Sequence, residues 1–379
     1  MPEPLLILGA SARAAAFSAR RAGFQPVCGD LFADADLQAC CTAVAVTDYP
    51  DGLEQVASEA PPAAWMYTGG LENYPQLVER IARGRPLLGV GSAELQRVRD
   101  PRLVAAALQA SGLPVPACQS TSSGLPADGS WLAKGRRSSG GGQVFAWRGQ
   151  RRFSSGGDAW YFQRRIDGQP CAALFVAACG RAVLLGVTEQ LLLGQHSDRP
   201  YSYAGSIGPL RLTPELTGRF ECLGNVLAAD FQLTGLFGVD AVFAAGEVWP
   251  VEINPRYPAS AEIVERATGA STVALHVAAC REAMLPSCTP AIISDGWHGK
   301  RILYSRCNAV VSEELARQWF ELNLATPWPE AADVPAAGAE IGAGQPVMTL
   351  FAQAEDRTLL RQVLAEREEF WQRRLAGAR

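Results

Sequence analysis

The stretch Val251-Glu252-Ile253-Asn254-Pro255-Arg256 sets a carboxylate and an amide two residues apart, then a proline, then an arginine. Strand side chains alternate between faces, so Glu252 and Asn254 point the same way. The longer run "GLFGVDAVFAAGEVWPVEINP" reads as a hairpin and carries a further carboxylate, Asp240. A three-residue loop at Ala245-Gly246-Glu247 sets Asp240 directly opposite Glu252. A two-residue loop sets them on opposite faces. In the first register, Asp240, Glu252 and Asn254 form one oxygen-rich patch. Two carboxylates opposed across a ladder repel, so a cation has to compensate them. Hard oxygens of this kind suit Mg²⁺, which keeps waters and bridges substrate phosphates. A solvated strand face carries the same alternation, and these residues alone leave that alternative open.

A second stretch, "WLAKGRRSSGGGQV", ends an apolar strand on Lys134 and follows it with a glycine-rich loop at 138–142. Ser138, Ser139, Gly140 and Gly141 fall in that loop. Glycine lets backbone N–H groups approach an anion, and a lysine adds a point charge for a phosphoryl oxygen. No G-K-[ST] follows, so this is not a Walker A loop, and a flexible hairpin end reads the same way. Of the 34 basic residues, only Lys134 and Lys300 are lysine. That scarcity, with the loop beside it, favours a role for the compact charge of Lys134. Lys300 lacks such neighbours and is read as a chance survivor.

These residues need elements to position them. "LLILGASARAAAFSARRAGFQPVCGD" reads as strand, tight turn, helix, a stop at Gly23, and a second strand, the opening of a Rossmann-like unit. Gly9-Ala10-Ser11 is not a full G-x-G-x-x-G, so a nicotinamide dehydrogenase is a weak alternative. "YTGGLENYP" sits where a parallel strand ends, which makes Gly69, Gly70 and Glu72 substrate-side candidates; an ordinary capped turn fits equally. A helix starts at Pro101 and ends at Gly112. The segments "WLAKGRR", "GQVFAW", "AWYFQRRIDG", "PCAALFVAACG" and "AVLLGVTEQL" are expected to form one antiparallel sheet. "SAEIVERATGASTVALHVAACREA" reads as helical, and the chain ends in a strand at "GKRILYSR", glycine- and proline-rich turns, and a charged helix. His196 lies in a polar loop, where a contact to substrate or phosphate competes with simple exposure. Tyr201 and Tyr203 are either pocket walls or half-exposed strand residues.

The 379-residue chain is long enough for two or three domains. A net charge of -4 offers no basic footprint for nucleic acid, and no apolar run of membrane-spanning length occurs. The start "MPEPLLILGASARAAAF" has no basic region ahead of its apolar run. Ten scattered cysteines without a C-x-x-C pair predict a reduced, cytoplasmic chain with buried thiols. Three dispersed histidines argue against a histidine-rich zinc site.

In order along the chain, these elements resemble the ATP-grasp superfamily, most closely its carboligase branch related to biotin carboxylase. The resemblance covers most of the chain, and "VEINPR" with its hairpin is its most specific part. It implies an α/β and α+β architecture: a Rossmann-like pre-ATP-grasp domain at 1–92, an ATP-grasp domain with antiparallel sheets at 93–290, and a C-terminal extension at 291–379 packing on the grasp. It implies ATP and Mg²⁺, or Mn²⁺, as cofactors, with the metal on Asp240, Glu252 and Asn254. Lys134 would meet the α- or β-phosphate beneath the loop of Ser138, Ser139, Gly140 and Gly141. Gln163, Arg164, Arg165 and Ile166 match the linker whose backbone recognises adenine. Arg256 would orient an anionic substrate or acyl-phosphate, making Arg256 and Lys134 the catalytic pair. The implied reaction is ATP-dependent carboxylate–amine ligation through an acyl-phosphate, with a small acid and an amine as partners. Neither nucleic acid nor membrane is an expected partner. Family members are often homodimers. One departure stands out. Many members carry a second nucleotide-contacting lysine where this chain has Pro101, and Arg99 or Arg102 is the available substitute. Carboxylation through carboxyphosphate and a regulatory protein that binds ATP without turnover remain as alternatives; no biotin-attachment motif is present.

Overall fold

The computed structural model describes residues 2–150, 153, 159–195, 197–324 and 328–377. The N-terminal sheet is parallel, with strands Thr42–Ala45, Gln25–Asp30, Pro4–Leu8 and Ala64–Tyr67 in that order. Leu5, Leu6, Ile7 and Leu8 are all fully buried. A strand covered on both faces needs such a continuous apolar run rather than an alternating one. The Gly9 turn has a packing reason. A side chain there would lie 2.0 Å from Thr68 Oγ1, and the Ala10 amide donates to the Gly69 carbonyl at 2.8 Å. The absent side chain thus serves contact between two strand ends, and those ends face the rest of the molecule.

The segments from Trp131 to Leu192, expected as one antiparallel sheet, divide between two. Trp131–Gly135, Val144–Ala146 and Trp160–Arg164 join Cys118–Gln119 in a small four-stranded sheet. Gln169–Ala178 and Arg181–Leu192 enter an eight-stranded sheet instead. Gly168 makes the crossing: a side chain there would lie 2.4 Å from the Phe243 carbonyl oxygen. The linker 163–168 is therefore held at the junction of the two sheets.

The large sheet runs in the order Glu247–Asn254, Gly235–Ala244, Gln169–Ala178, Arg181–Leu192, Tyr203–Gly208, Trp297–Tyr304, Pro346–Ala354 and Ala331–Ala332. Its last three strands come from the C-terminal part of the chain. The helical stretch 260–283 divides into two helices, Ala261–Thr268 and Thr272–Glu282. Gly269 takes a left-handed φ of +70° and closes the first, and the Ser271 hydroxyl accepts from the Ala274 amide to cap the second.

A buried ionic knot ties N-terminal, central and C-terminal segments together. Arg13, from the helix Arg13–Arg21, bonds Glu262 and places Nε 2.9 Å from Asp333 Oδ1. Lys300 Nζ donates to Glu262 Oε2 at 3.0 Å, an oxygen that also accepts from Arg13 NH2. Burial alone would raise the Glu262 pKa, but Arg13 and Lys300 hold it well below the usual carboxylate range. Removing one partner of such a knot strands the others in low dielectric. Arg13→Met is expected to lower stability by about 3–5 kcal/mol, read from urea unfolding; a loss below about 1 kcal/mol would show that the knot is solvated.

Candidate active site

The hairpin that carries the three oxygen ligands has a two-residue loop, Ala245-Gly246, not the three-residue loop on which the favourable register depended. Both loop residues have positive φ, +51° and +80°, as a type I′ turn demands. The register is recovered further along. Ala241 pairs with Pro250, yet Asp240 pairs with Glu252, so Val251 is an extra residue in a β-bulge. Pro250 sits at this bulge on the edge strand of the sheet, a place where a missing N–H is tolerated. Asp240 and Glu252 therefore face each other after all, and Asn254 Nδ2 donates to Asp240 Oδ2 at 3.2 Å.

The bulge also supplies an acceptor. The Val251 carbonyl accepts from Lys134 Nζ at 2.9 Å, bridging the two sheets. Lys134 is 6% exposed and its ammonium also donates to Gln163 Oε1 at 3.2 Å. Burial disfavours its charge, but the Tyr161 hydroxyl, Glu252 and Asp240 outweigh this and raise its pKa. Asp240 is pushed up, first by burial and then by Glu252. Burial pushes Glu252 the same way, yet Arg99 and Lys134 hold it below the ordinary range. The cation demanded by the opposed carboxylates is thus partly furnished by Arg99, whose NH1 lies 2.8 Å from Glu252 Oε1. Arg102 turns instead to Asp100, whose side chain caps the helix that Pro101 opens. Of the two arginines offered in place of a second lysine, only Arg99 reaches this cluster.

The side chains line a cavity of about 770 Å³. Ser139, Gly140, Gly141 and Gln163 to Ile166 form part of its wall, with Lys134, Asp240, Glu252, Asn254 and Arg256. Ser138 is set behind it: its carbonyl accepts from Asn73 and Arg99, and it lines a small adjoining pocket with Tyr161 and Glu252. In the linker, the amides of Arg164 and Arg165 already donate to the carbonyls of Ala117 and Ser130. The Gln163 side chain is turned to Lys134 rather than outward. Arg256 is held by Glu72, whose Oε1 accepts from Nε and NH2 at 3.2 and 3.1 Å, and by Asn254 Oδ1 at 3.0 Å. Gly69 lies against the same guanidinium; a side chain there would sit 3.6 Å from it. Gly70, at φ +102°, instead packs on the Tyr49 hydroxyl. Tyr201 and Tyr203 both line the cavity, and His196 lies outside the described residues.

Sequence reasoning missed the far end of this cavity. Arg13, Ser260, Glu262, Lys300, Asp333 and Thr349 also line it. Lys300, set aside as a chance survivor, is 5% exposed and bonded to Glu262. The scarcity of lysine was a usable signal for it. The others come from segments whose convergence no local pattern announces.

Asp240 and Glu252 offer hard oxygens of the kind a divalent cation takes, whereas the Asn254 oxygen accepts from Arg256 and its Nδ2 faces Asp240. Among the described residues, no three His, Cys, Asp or Glu side chains converge as a metal cage. That composition suits an ion that draws its remaining oxygens from water and phosphate. The glycine loop is docked over the cavity: the Tyr203 amide donates to the Gly140 carbonyl at 2.9 Å, and a side chain at Gly141 would lie 2.0 Å from the Tyr201 carbonyl. Gly140, at φ +61°, shares the left-handed backbone that disfavours a side chain but has open space around its Cβ position. Gly141→Ala is therefore expected to undock the loop and speed amide exchange at Tyr203, with Gly140→Ala having the smaller effect; equal rates in both variants would contradict the docking.

The family described as "ATP-grasp domain" matches residues 98–260. No curated protein matches the chain significantly. Solved structures of similar fold include an N5-carboxyaminoimidazole ribonucleotide synthetase in complex with ADP, at 16% identity and a TM-score of 0.70, covering 98% of this chain and 97% of that one. The biotin carboxylase domain of the 2-oxoglutarate carboxylase of Hydrogenobacter thermophilus, with MgADP and bicarbonate, has 14% identity and a TM-score of 0.70, covering 96% and 88%. The L-amino acid ligase of Bacillus licheniformis has 15% identity and a TM-score of 0.71, covering 96% of each. Residues 98–260 thus match an ATP-grasp domain, and the chain as a whole shares the fold of these solved structures.

Proposed function

We propose that this protein is an ATP-dependent carboxylate–amine ligase that forms an acyl-phosphate on a small acid and releases ADP and phosphate. The observation that carries the reading is the single wall on which Asp240, Glu252 and Asn254 meet the buried Lys134, with Arg256 beside them. Asp240 and Glu252 would hold Mg²⁺, with Asn254 joining them once its amide turns from Arg256, and the ion would supply charge neutralisation at the phosphates of bound ATP. Lys134 places a fixed ammonium on the phosphate tail from the opposite sheet. Ser139, Gly140 and Gly141 cover that tail with backbone amides and keep water away. Arg256, pinned by Glu72, presents its guanidinium to the carboxylate of the acid.

In the first step a carboxylate oxygen attacks the γ-phosphorus, the bond to the β,γ-bridging oxygen breaks, and ADP leaves. In the second, an amine nitrogen attacks the acyl carbon, phosphate departs with the C–O bond pair, and the nitrogen loses a proton. Positioning and electrostatics supply the acceleration, so no nucleophilic side chain is required. The likeness in fold to a carboxylase domain solved with MgADP and bicarbonate supports a second reading, in which bicarbonate takes the place of the acid and carboxyphosphate forms.

The test is ADP release in Mg²⁺ buffer across a panel of acids and amines, with bicarbonate alone as a separate arm. Turnover that needs both acid and amine is the expected result. Turnover with bicarbonate alone selects carboxyphosphate, and tight ATP binding with no turnover selects a regulatory role. Glu252→Gln and Lys134→Met are each expected to cost about 2.7–4 kcal/mol of transition-state stabilisation, roughly a hundredfold or more in kcat, with folding retained. Undiminished turnover in Glu252→Gln would remove the metal assignment.

A further inference from the structure

The two cations at the hairpin reach it from different sides. Lys134 lines the main cavity together with Asp240 and Glu252. Arg99 lines the small adjoining pocket instead, and Glu252 forms part of the wall of both. Arg99 NH1 donates to one oxygen of that carboxylate, Oε1, at 2.8 Å. Glu252 is thus open to the cavity on one side and held from behind on the other.

The guanidinium of Arg99 is itself fixed by neutral groups. NH1 also donates to the Ile253 carbonyl at 3.2 Å, and NH2 donates to Asn73 Oδ1 at 3.1 Å and to the Ser138 carbonyl at 3.3 Å. Asn73 Nδ2 donates to the same Ser138 carbonyl at 3.2 Å, at the base of the glycine loop. Asn73 belongs to the short turn Leu71–Asn73, whose Glu72 pins Arg256. Of the four acceptors around Arg99, Glu252 alone is charged, so it alone takes up the positive charge that the others aim. Stability is a poor reason for this pair. The side chains of Arg99 and Glu252 are 14% and 20% exposed, against 2% and 6% for Arg13 and Glu262, and solvated pairs contribute little.

The charges in this wall balance: Asp240 and Glu252 are two anions, Lys134 and Arg99 two cations. A divalent ion arriving alone meets no net attraction and is repelled by both cations. An ion accompanied by phosphates brings negative charge that the same two cations attract. We propose that Arg99 is a positioning residue that acts through Glu252: it holds one carboxylate oxygen and offsets the charge of the hairpin acids, so that the site takes a divalent ion together with a nucleoside diphosphate or triphosphate and not by itself. Asn73 supports it by fixing the guanidinium and the loop base at one point. This deepens the ligase reading and rests on it for the role of Glu252.

Water-proton relaxation by Mn²⁺ on the full chain tests this, because it separates protein-bound ion from free ion and from Mn-ADP. The wild type is expected to leave bare Mn²⁺ unbound at millimolar concentration and to bind it once ADP is added. Arg99→Met and Arg99→Gln, which remove the charge, are each expected to take up bare Mn²⁺ roughly tenfold or more tightly than the wild type, the scale of deleting one charge near a divalent ion. Adding Glu252→Gln to Arg99→Met is expected to remove that gain. Unfolding midpoints serve as the control of folding; a merely structural Arg99 would cost stability without tightening the binding of bare metal. Tight uptake of bare Mn²⁺ by the wild type, no gain in a folded Arg99 variant, or a gain that survives Glu252→Gln would overturn the proposal and leave the ligase reading standing. Failure of the wild type to bind Mn²⁺ even with ADP would overturn both together.

Discussion

Two carboxylates, Asp240 and Glu252, face each other across one rung of a β-ladder inside a protein wall. Left to themselves they repel, and burial raises the cost of charging both. Much of the surrounding structure can be understood as an answer to that repulsion. Arg99 reaches Glu252 from the end of one helix, Lys134 approaches from a different sheet, and Gln190 donates to Asp240 at 2.7 Å from the strand beyond the adjacent one. Asn254 closes the group from the hairpin itself. These donors leave Asp240 pushed up and Glu252 held low, an uneven balance that an additional cation would level.

The β-bulge at Val251 links this electrostatics to the architecture. It reconciles a tight two-residue turn with opposed carboxylates. It also frees a backbone carbonyl that anchors Lys134. The small sheet carrying Lys134 and the large sheet carrying the acids are thereby fastened at the point where their charges are needed. The glycine loop follows directly from the Lys134 strand, and its contact with Tyr201 and Tyr203 closes the same wall.

The cavity has two charged ends. At the hairpin, the opposed carboxylates of Asp240 and Glu252 are faced by Arg99 and Lys134, which arrive on separate elements. At the far end, Arg13 and Lys300 pair with Glu262 and Asp333, two cations with two carboxylates. Arg256 stands on the hairpin side, fixed by Glu72 from the N-terminal domain. An arginine locked in this way presents a defined face and loses little freedom on meeting a carboxylate.

Much of this was legible in the residues. Strand alternation put Glu252 and Asn254 on one face, the strand, turn and helix pattern from Leu5 announced a Rossmann-like unit, and a lone lysine before a glycine loop marked Lys134. These are local signals, carried by periodicity and by residue type within a few positions. The division of the 131–192 strands between two sheets, the bulge that restored the Asp240–Glu252 register, and the choice of Arg99 over Arg102 were decided by tertiary packing. So was the far end of the cavity, where Arg13 meets Glu262, Lys300 and Asp333 from hundreds of residues away. Sequence determines which groups a strand or helix can present. Which of them share one low-dielectric wall depends on long-range pairing, where charge balance and close backbone approach select a single arrangement.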